Sequence, residues 1–313
     1  TVQGPGAKGT EYRLHLAVDL VRLHLLYVKV TDAGAGESLR HHPLQDGDVV
    51  VADRGYSAAR PLIECADRGV AVVVRYNPHG LNLYDAAGAK IDWLAELHGT
   101  AETERCLPVR VQVEGAFIEG HLHGCRLPPA QAAQARRRVR VQAKKKGRQA
   151  QARTLALAEW VLVLATLPPA VLPTATALAL YRLRWQVELA IKRLKSIVDI
   201  DRLRARQGSA LADLYIHGKL LYAWVLEKWA RRRCGEDWNR LDGPRRATPW
   251  RVWKLLREEL AIAIGGVVHW NPDRWAACLT VLQERPRRRP LQTLPERVNQ
   301  LIAQCRAMGM SNV

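Results

Sequence analysis

The sequence lacks any paired-cysteine motif, since its six cysteines are scattered and none forms a Cys-x-x-Cys pair. In a chain of 313 residues this pattern predicts reduced, individually buried thiols in a cytosolic protein. Neither a signal peptide nor a targeting motif is visible, which agrees with that compartment. Because 48% of the residues are hydrophobic, the chain can bury a sizeable core, and general disorder is excluded.

The sequence also lacks an uninterrupted membrane-spanning stretch. Its longest uncharged run covers 22 residues, 160–181, which is long enough to cross a bilayer. However, Pro168, Pro169 and Pro173 interrupt its middle, and proline breaks a helix interior. The run therefore predicts a buried strand, a turn and the start of a helix.

Negative charge is scarce. The chain has 30 acidic residues against 48 basic ones, a formal charge of +18. Residues 1–130 carry a net charge of −3 and residues 131–313 a net charge of +21. This excess indicates a polyanionic partner, either nucleic acid or an anionic membrane. A basic segment at 136–148 has eight basic side chains in thirteen residues, and we expect phosphate contact there rather than a merely solvated run.

Hydrophobic patterning predicts a mixed α/β protein. Alternation over residues 12–19 and 22–30 predicts an antiparallel hairpin, and the continuously apolar residues 49–52 predict a central strand covered on both faces. Residues 77–152 predict a β-rich insertion with short alternating pieces. Further helices are predicted over 57–68, 174–198, 210–232, 249–263 and near 294–306.

Asp53 directly follows the apolar run at 49–52 and precedes Arg54, Gly55 and Tyr56. A carboxylate at the carboxyl end of a central strand lies where open α/β sheets bind their ligands. An aspartate in front of a short helix can equally be the N-cap of that helix. The spacing alone supports both interpretations.

The predicted helix at 174–198 carries a polar stripe. Its members follow one another at steps of 3, 4, 4 and 3, so they share one helix face: Tyr181, Arg184, Glu188, Lys192 and Lys195. One interpretation is a surface helix whose i,i+4 ion pairs contribute about 0.3–0.5 kcal/mol each. The other is a site in which Glu188 and Asp53 hold divalent metal while the cations bind nucleic-acid phosphates. The spacing does not decide between them.

The segment Tyr181-x2-Arg184-x3-Glu188-x6-Lys195 matches without a gap the Tyr-x2-Arg-x3-Glu-x6-Lys signature of bacterial insertion-sequence transposases of the DDE type. The surrounding YRLRWQVELAIKRLKS resembles that group over its whole length. So do GDVVVADRGYSAARPL around Asp53 and GPGAKGTEYRLHLAVDL near the start. The resemblance extends over residues 1 to about 265.

The resemblance implies an α/β fold with a ribonuclease H-like catalytic domain, formed by residues 1–76 and 153–215. A β-rich insertion at 77–152 would split it, and a basic helical region at 216–313 would follow. Asp53 and Glu188 would be catalytic metal ligands in an Asp-Asp-Glu triad that holds two Mg²⁺ ions, with Mn²⁺ as a possible substitute. Tyr181, Arg184 and Lys195 would hold the transposon end through its phosphates, and we expect the same of Lys192.

The function implied is cut-and-paste transposition, in which the protein binds insertion-sequence ends and catalyses metal-dependent DNA cleavage and strand transfer. Its partners would be double-stranded DNA, at the terminal inverted repeats and at the target site, and a second copy of the chain in a dimeric synapse. The expected location is the bacterial cytoplasm, at the nucleoid.

The chain departs from the family pattern at the first Asp of the triad. In the family this residue lies on the strand before the GPGAKGT-like loop, whereas this chain begins at Thr1 and has no initiator Met. The sequence therefore predicts either an N-terminally truncated transposase or a remnant that binds DNA without cutting it. A third interpretation, a ribonuclease H-like nuclease without strand transfer, shares the carboxylates but not the signature.

Overall fold

The structure, a computed structural model, describes residues 2, 11–97, 102–240, 248–264, 276–277 and 295–308. Its strands and helices follow in the order β1 Tyr12–Val18, β2 Leu25–Asp32, β3 Val49–Ala52, α1 Ala59–Asp67, β4 Ala71–Arg75, α2 Trp93–Leu97, β5 Glu104–Val113, β6 Ala116–Arg126, α3 Pro129–Lys145, α4 Ala152–Ala158, β7 Trp160–Ala165, α5 Thr174–Leu183, α6 Trp185–Ile197, α7 Ala210–Cys234, α8 Pro249–Ile264 and α9 Glu296–Ala307. The chain divides into two units, 1–37 with 183–295 and 38–182 with 296–313.

The first unit combines the β1–β2 hairpin with helices α6, α7 and α8. The strands pair antiparallel, with Leu16 opposite Val28, which confirms the predicted hairpin. Their inner side chains join one apolar cluster with the three helices, and Ile197, Ile216 and Leu256 lie at its centre. The apolar face of α6 thus packs in this cluster. On its other face Lys192 is exposed, and Glu188 and Lys195 are half-exposed.

Helix α7 is apolar on two opposite faces. Its inner face is fully buried at Ile216, Leu226 and other positions of the cluster. Its other face carries large apolar side chains that are 40–68% exposed, Leu211, Leu214, Leu221, Trp224 and Val225, and we call this set the outer stripe. Most surface helices have a polar outer face, so α7 departs from the usual pattern.

The second unit contains a five-stranded sheet with the strand order β3-β4-β7-β6-β5. Strands β3 and β4 are parallel, with Ala52 opposite Val74, and the other neighbouring pairs are antiparallel. Its core includes Leu62 of α1, Val74, Leu122 and Leu164, all at most 1% exposed. The strand predicted at the start of the uncharged run 160–181 is β7, and α5 follows it after the proline-containing turn, as the sequence predicted.

The segment predicted as a β-rich insertion contributes to this same sheet. Its strands β5 and β6 pair with each other, and β6 pairs with β7. Residues 129–145, however, form the helix α3. Alanine, arginine, glutamine and lysine make up most of α3, and these strong helix formers explain why this part of the predicted β-rich insertion is helical. The domain boundaries at 76, 152 and 215 remain predictions.

Two further expectations need correction or restriction. The cysteines are free thiols in the described ranges, but Cys106 is exposed because it lies on the edge strand β5, so not every thiol is buried. The GPGAKGT loop and most of residues 265–294 lie outside the described residues. None of the helices in the described ranges has both the length and the apolar character needed to cross a membrane.

Candidate active site

Asp53 lies immediately after β3, at the carboxyl end of that strand. Its Oδ1 accepts a 2.8 Å hydrogen bond from the backbone N–H of Gly55, and the residue is the N-cap of the short 3₁₀ helix Arg54–Tyr56. Within the described part of the chain, Oδ2 has no hydrogen-bond donor. Both interpretations of Asp53 are therefore compatible, because one oxygen holds the turn while the other can bind a ligand.

Arg75 joins Asp53 at the same edge of the sheet. The parallel register pairs Ala52 with Val74, so Asp53 and Arg75 are the next residues of their strands. The guanidinium carbon of Arg75 lies 5.9 Å from the ring centroid of Tyr181 on α5, a cation–π contact. The second unit thus brings a carboxylate, a guanidinium cation and the tyrosine of the predicted signature to the same edge of the sheet. Arg75 was not predicted from the sequence, although it is a charge at the end of an apolar strand, the same signal that identified Asp53.

The helix predicted over 174–198 is two helices in the structure. Helix α5 ends at Leu183 and α6 begins at Trp185, while Arg184 between them keeps helical backbone angles of φ −48° and ψ −28°. The boundary between the two units also falls here, after residue 182. Tyr181 therefore belongs to the second unit, and Arg184, Glu188, Lys192 and Lys195 belong to the first.

Glu188 lies in the first turn of α6, where a helix terminus favours a carboxylate. Its Oε1 accepts a 2.7 Å hydrogen bond from Nη2 of Arg184, and the two side chains are 36% and 23% exposed. Such an i,i+4 pair contributes only about 0.3–0.5 kcal/mol. The ion pair orients the carboxylate of Glu188 but holds it only weakly, so a metal ion could compete for its oxygens.

The two lysines of the stripe have other contacts. Nζ of Lys192 lies 5.0 Å from the ring centroid of Trp185, so this cation–π contact replaces the i,i+4 pair with Glu188 that the spacing allowed. Nζ of Lys195 lies 3.9 Å from Oδ2 of Asp201. Contacts of this kind are weak at a solvated surface. Both ammonium groups can therefore exchange them for a phosphate.

Two buried charged side chains, Arg193 and Glu227, link α6 to the elements packed against it. Arg193 is 9% exposed, its guanidinium carbon lies 5.8 Å from the ring centroid of Trp253, and burial lowers its pKa to about 10. Glu227 on α7 accepts a 2.9 Å hydrogen bond from the N–H of Leu25, and burial raises its pKa to about 7. These residues connect α6, α7, α8 and the start of β2. The sequence did not single them out, because each resembles an ordinary surface charge of a helix.

The two predicted metal ligands each have side-chain chemistry that suits a divalent metal. Asp53 and Glu188 offer carboxylate oxygens, which Mg²⁺ and Mn²⁺ prefer. In the described ranges, no group of three or more His, Cys, Asp or Glu side chains is placed to hold an ion. Asp53 belongs to the second unit and Glu188 to the first.

A strand-end aspartate and a glutamate followed by a lysine seven residues later are the elements expected of a DDE transposase, and the family comparison agrees. The family described as "Transposase DDE domain" matches residues 2–223, which include Asp53 and the whole signature. The chain therefore belongs to the DDE-domain transposases, which confirms the resemblance seen in the sequence.

Relatives within that family come from insertion sequences. Over 233 residues the chain is 32% identical to the putative transposase InsL of insertion sequence element IS186A from Escherichia coli strain K12. It is equally similar to the transposase for insertion sequence element IS421 from Escherichia coli. These matches cover 72% of this chain but only 63% and 62% of the two relatives. The chain thus spans less than two thirds of their length.

Proposed function

We propose that this chain is the catalytic part of a transposase that binds insertion-sequence ends and catalyses metal-dependent DNA cleavage and strand transfer. The observation that carries the proposal is the position of Asp53, at the carboxyl end of β3 with one oxygen engaged in its turn. The family match covers both Asp53 and Glu188. Its double-stranded DNA substrate would comprise the terminal inverted repeats and the target site.

In this proposal Asp53 and Glu188 are ligands of two Mg²⁺ ions, for which Mn²⁺ can substitute. Bound metal would activate a water or a 3′-hydroxyl and stabilise the leaving oxygen. Tyr181, Arg184, Lys192 and Lys195 would contact phosphates, and Arg75 would add a cation beside Asp53. A second copy of the chain would complete a dimeric synapse, and the predicted catalytic, insertion and C-terminal regions remain part of the proposal.

The test is to substitute Asp53→Asn and Glu188→Gln separately in the protein that carries this chain. Asparagine keeps an acceptor for the N–H of Gly55, and glutamine keeps one for Arg184, so both changes remove charge while sparing the local structure. We expect cleavage of a labelled insertion-sequence end in Mg²⁺ to fall at least about 100-fold, because the metal loses a ligand. Binding of the same DNA should change less than about threefold.

The matched controls are Asp67→Asn, exposed at the end of α1, and Glu258→Gln, exposed on α8. Both should cleave like the parent. The proposed roles are contradicted if either site variant cleaves normally, or if both lose DNA binding together with cleavage. A parent that binds DNA but does not cut it in Mg²⁺ or Mn²⁺ would instead support the DNA-binding remnant.

A further inference from the structure

Helix α3 presents a dense basic surface. It has 17 residues and buries only Ala132 in the interior. The basic segment 136–148 covers its second half and the turn that follows. Seven of its eight cations are exposed, namely Arg137, Arg138, Arg140, Lys144, Lys145, Lys146 and Arg148. This surface lies wholly within the second unit, on a different element from the signature helix.

These seven cations are not neutralised within the described part of the chain. Arg136, the eighth, pairs with Glu159, which also accepts a 3.0 Å hydrogen bond from Arg126. None of the other seven forms an ion pair among the described residues. Elsewhere in the same unit, exposed or half-exposed arginines do have carboxylate partners: Arg40 pairs with Glu64, Arg60 with Glu114 and Arg110 with Glu119.

The arrangement opposes folding of the helix. Arg136, Arg140 and Lys144 follow one another at i,i+4, where like charges destabilise a helix by a few tenths of a kcal/mol per pair. The helix dipole favours Lys144 and Lys145 in the last turn, but it does not favour the arginines one to two turns earlier. A bound polyanion would remove this repulsion. The charges of α3 therefore destabilise the free helix, and a bound polyanion would offset this cost.

The end of α3 is shaped into a basic groove. Gly147 has a left-handed φ of +64°, and the N–H of Arg148 donates to the carbonyl of Ala143 at 2.9 Å, so the chain turns back on the helix. As a result Arg140, Lys144 and Arg148 line one cavity of about 520 Å³, with Leu155 of α4 at its wall. Arg140 and Lys144 are about one helical turn apart along α3, an axial rise of about 5.4 Å, and the turn after the helix brings Arg148 to the same cavity. An open row of this kind fits a chain of phosphates.

We propose that this groove binds the backbone of duplex DNA as a second contact surface, independent of base sequence and of divalent metal. The proposal rests on the proposed function, because it names a further surface for the same DNA. The three lining cations are exposed and have no ion pair among the described residues, so we expect them to contact phosphates, whose positions do not depend on the base sequence. Its contribution is a set of phosphate contacts in addition to those of the signature residues.

The test compares the parent with the triple variant Arg140→Gln, Lys144→Gln and Arg148→Gln. Binding of a labelled 30-base-pair duplex of unrelated sequence is measured by fluorescence anisotropy at 50–300 mM KCl with EDTA. We expect the slope of log K against log salt to become shallower by about 3, since each lost phosphate contact removes about 0.9. Affinity at 100 mM KCl should fall at least about tenfold, equally for two duplexes of different sequence.

The matched control is the triple variant Arg40→Gln, Arg60→Gln and Arg110→Gln, which removes the same charge from the same unit at arginines that already have partners. It should retain the parental slope. Arg140→Lys with Arg148→Lys should retain it as well, because a phosphate contact needs only the positive charge. Thermal unfolding checks the fold, and if the triple variant is unstable, each single Gln variant should lose about 0.9 of slope.

The inference is wrong if the groove variant keeps the parental slope, or if the control loses as much. If the parent binds and cleaves insertion-sequence ends while the groove variant is unchanged, only this inference fails and the proposed function stands. If the parent binds no duplex DNA at all, both are overturned.

Discussion

At the scale of single residues, the buried His123 helps to position α5, the helix that carries Tyr181 of the signature. This residue of β6 is fully buried, and its Nδ1 lies 3.0 Å from Oγ1 of Thr174, the first residue of α5. Burial, with a smaller contribution from His121, lowers the pKa of His123 to about 4. The contact connects the sheet to the helix that carries Tyr181.

We expect acid to weaken the second unit through His123. Because its folded pKa is about 4, below the usual 6.5, the unfolded chain takes up a proton first, and stability falls as the pH drops from 6.5 towards 4. The loss should be about 2 kcal/mol at pH 5 and should reach about 3 kcal/mol below pH 4. Urea unfolding at pH 7.5, 6 and 5 measures it. His123→Gln should flatten the dependence, whereas the exposed His79→Gln should not; a parental dependence in His123→Gln would contradict the assignment.

Lys195 provides a second prediction at this scale. Its contact with Asp201 is weak and half-exposed, so a phosphate can replace it. Lys195→Ala should weaken binding of an insertion-sequence end and make the salt slope shallower by about 0.9, the value for one contact. Lys254→Ala, exposed on α8, is the control. An unchanged slope in Lys195→Ala would count against the phosphate contact.

At the scale of elements, α7 allows the same substitution to be compared on two faces of one helix. Leu226 on the inner face is fully buried, and Leu214 on the outer stripe is 68% exposed. Leu226→Ala should lower the free energy of unfolding by about 2–5 kcal/mol, since it leaves a cavity. Leu214→Ala should change it by less than about 0.5 kcal/mol. Denaturant unfolding compares the two, and equal losses would mean that the outer stripe is covered in solution.

The elements also show what the sequence could and could not predict. Strands β3 and β7 and helices α7 and α8 were predictable, because continuous apolar runs and a 3.6-residue period are local signals. Helix α3 was not predicted as a helix, because residues 77–152 were interpreted as a β-rich insertion and 136–148 as the basic run within it. The burial of Arg193 and Glu227 depends on contacts between elements distant in the sequence, which no local pattern reveals.

For the candidate site, the sequence identified the residues but not their surroundings. Asp53 and Glu188 were found from strand-end position and from the signature, and the structure adds the hydrogen bonds with Gly55 and Arg184. Arg75 required the parallel register of β3 and β4, which is a property of the sheet. The predicted pairing of Asp53 with Glu188 around metal remains a prediction.

At the scale of the whole molecule, the positive charge is distributed over separate surfaces. Residues 131–313 carry a net +21, and α3 and the stripe of α6 each hold part of it in a different unit. A polyanion bound along several surfaces releases many counterions, so the affinity of the whole chain should depend steeply on salt. Substitutions on one surface should therefore reduce the slope of log K against log salt without abolishing it, by about 0.9 for each phosphate contact removed.

The outer stripe of α7 has a consequence for colloidal behaviour. Its apolar side chains remain 40–68% exposed on a chain of net charge +18. At low ionic strength, mutual repulsion keeps the molecules apart, but at 1 M salt the Debye length falls to about 3 Å and that repulsion vanishes. High salt, the usual means of stripping nucleic acid from a basic protein during purification, would then favour clustering through the stripe. Dispersity therefore needs to be checked by light scattering at each ionic strength used.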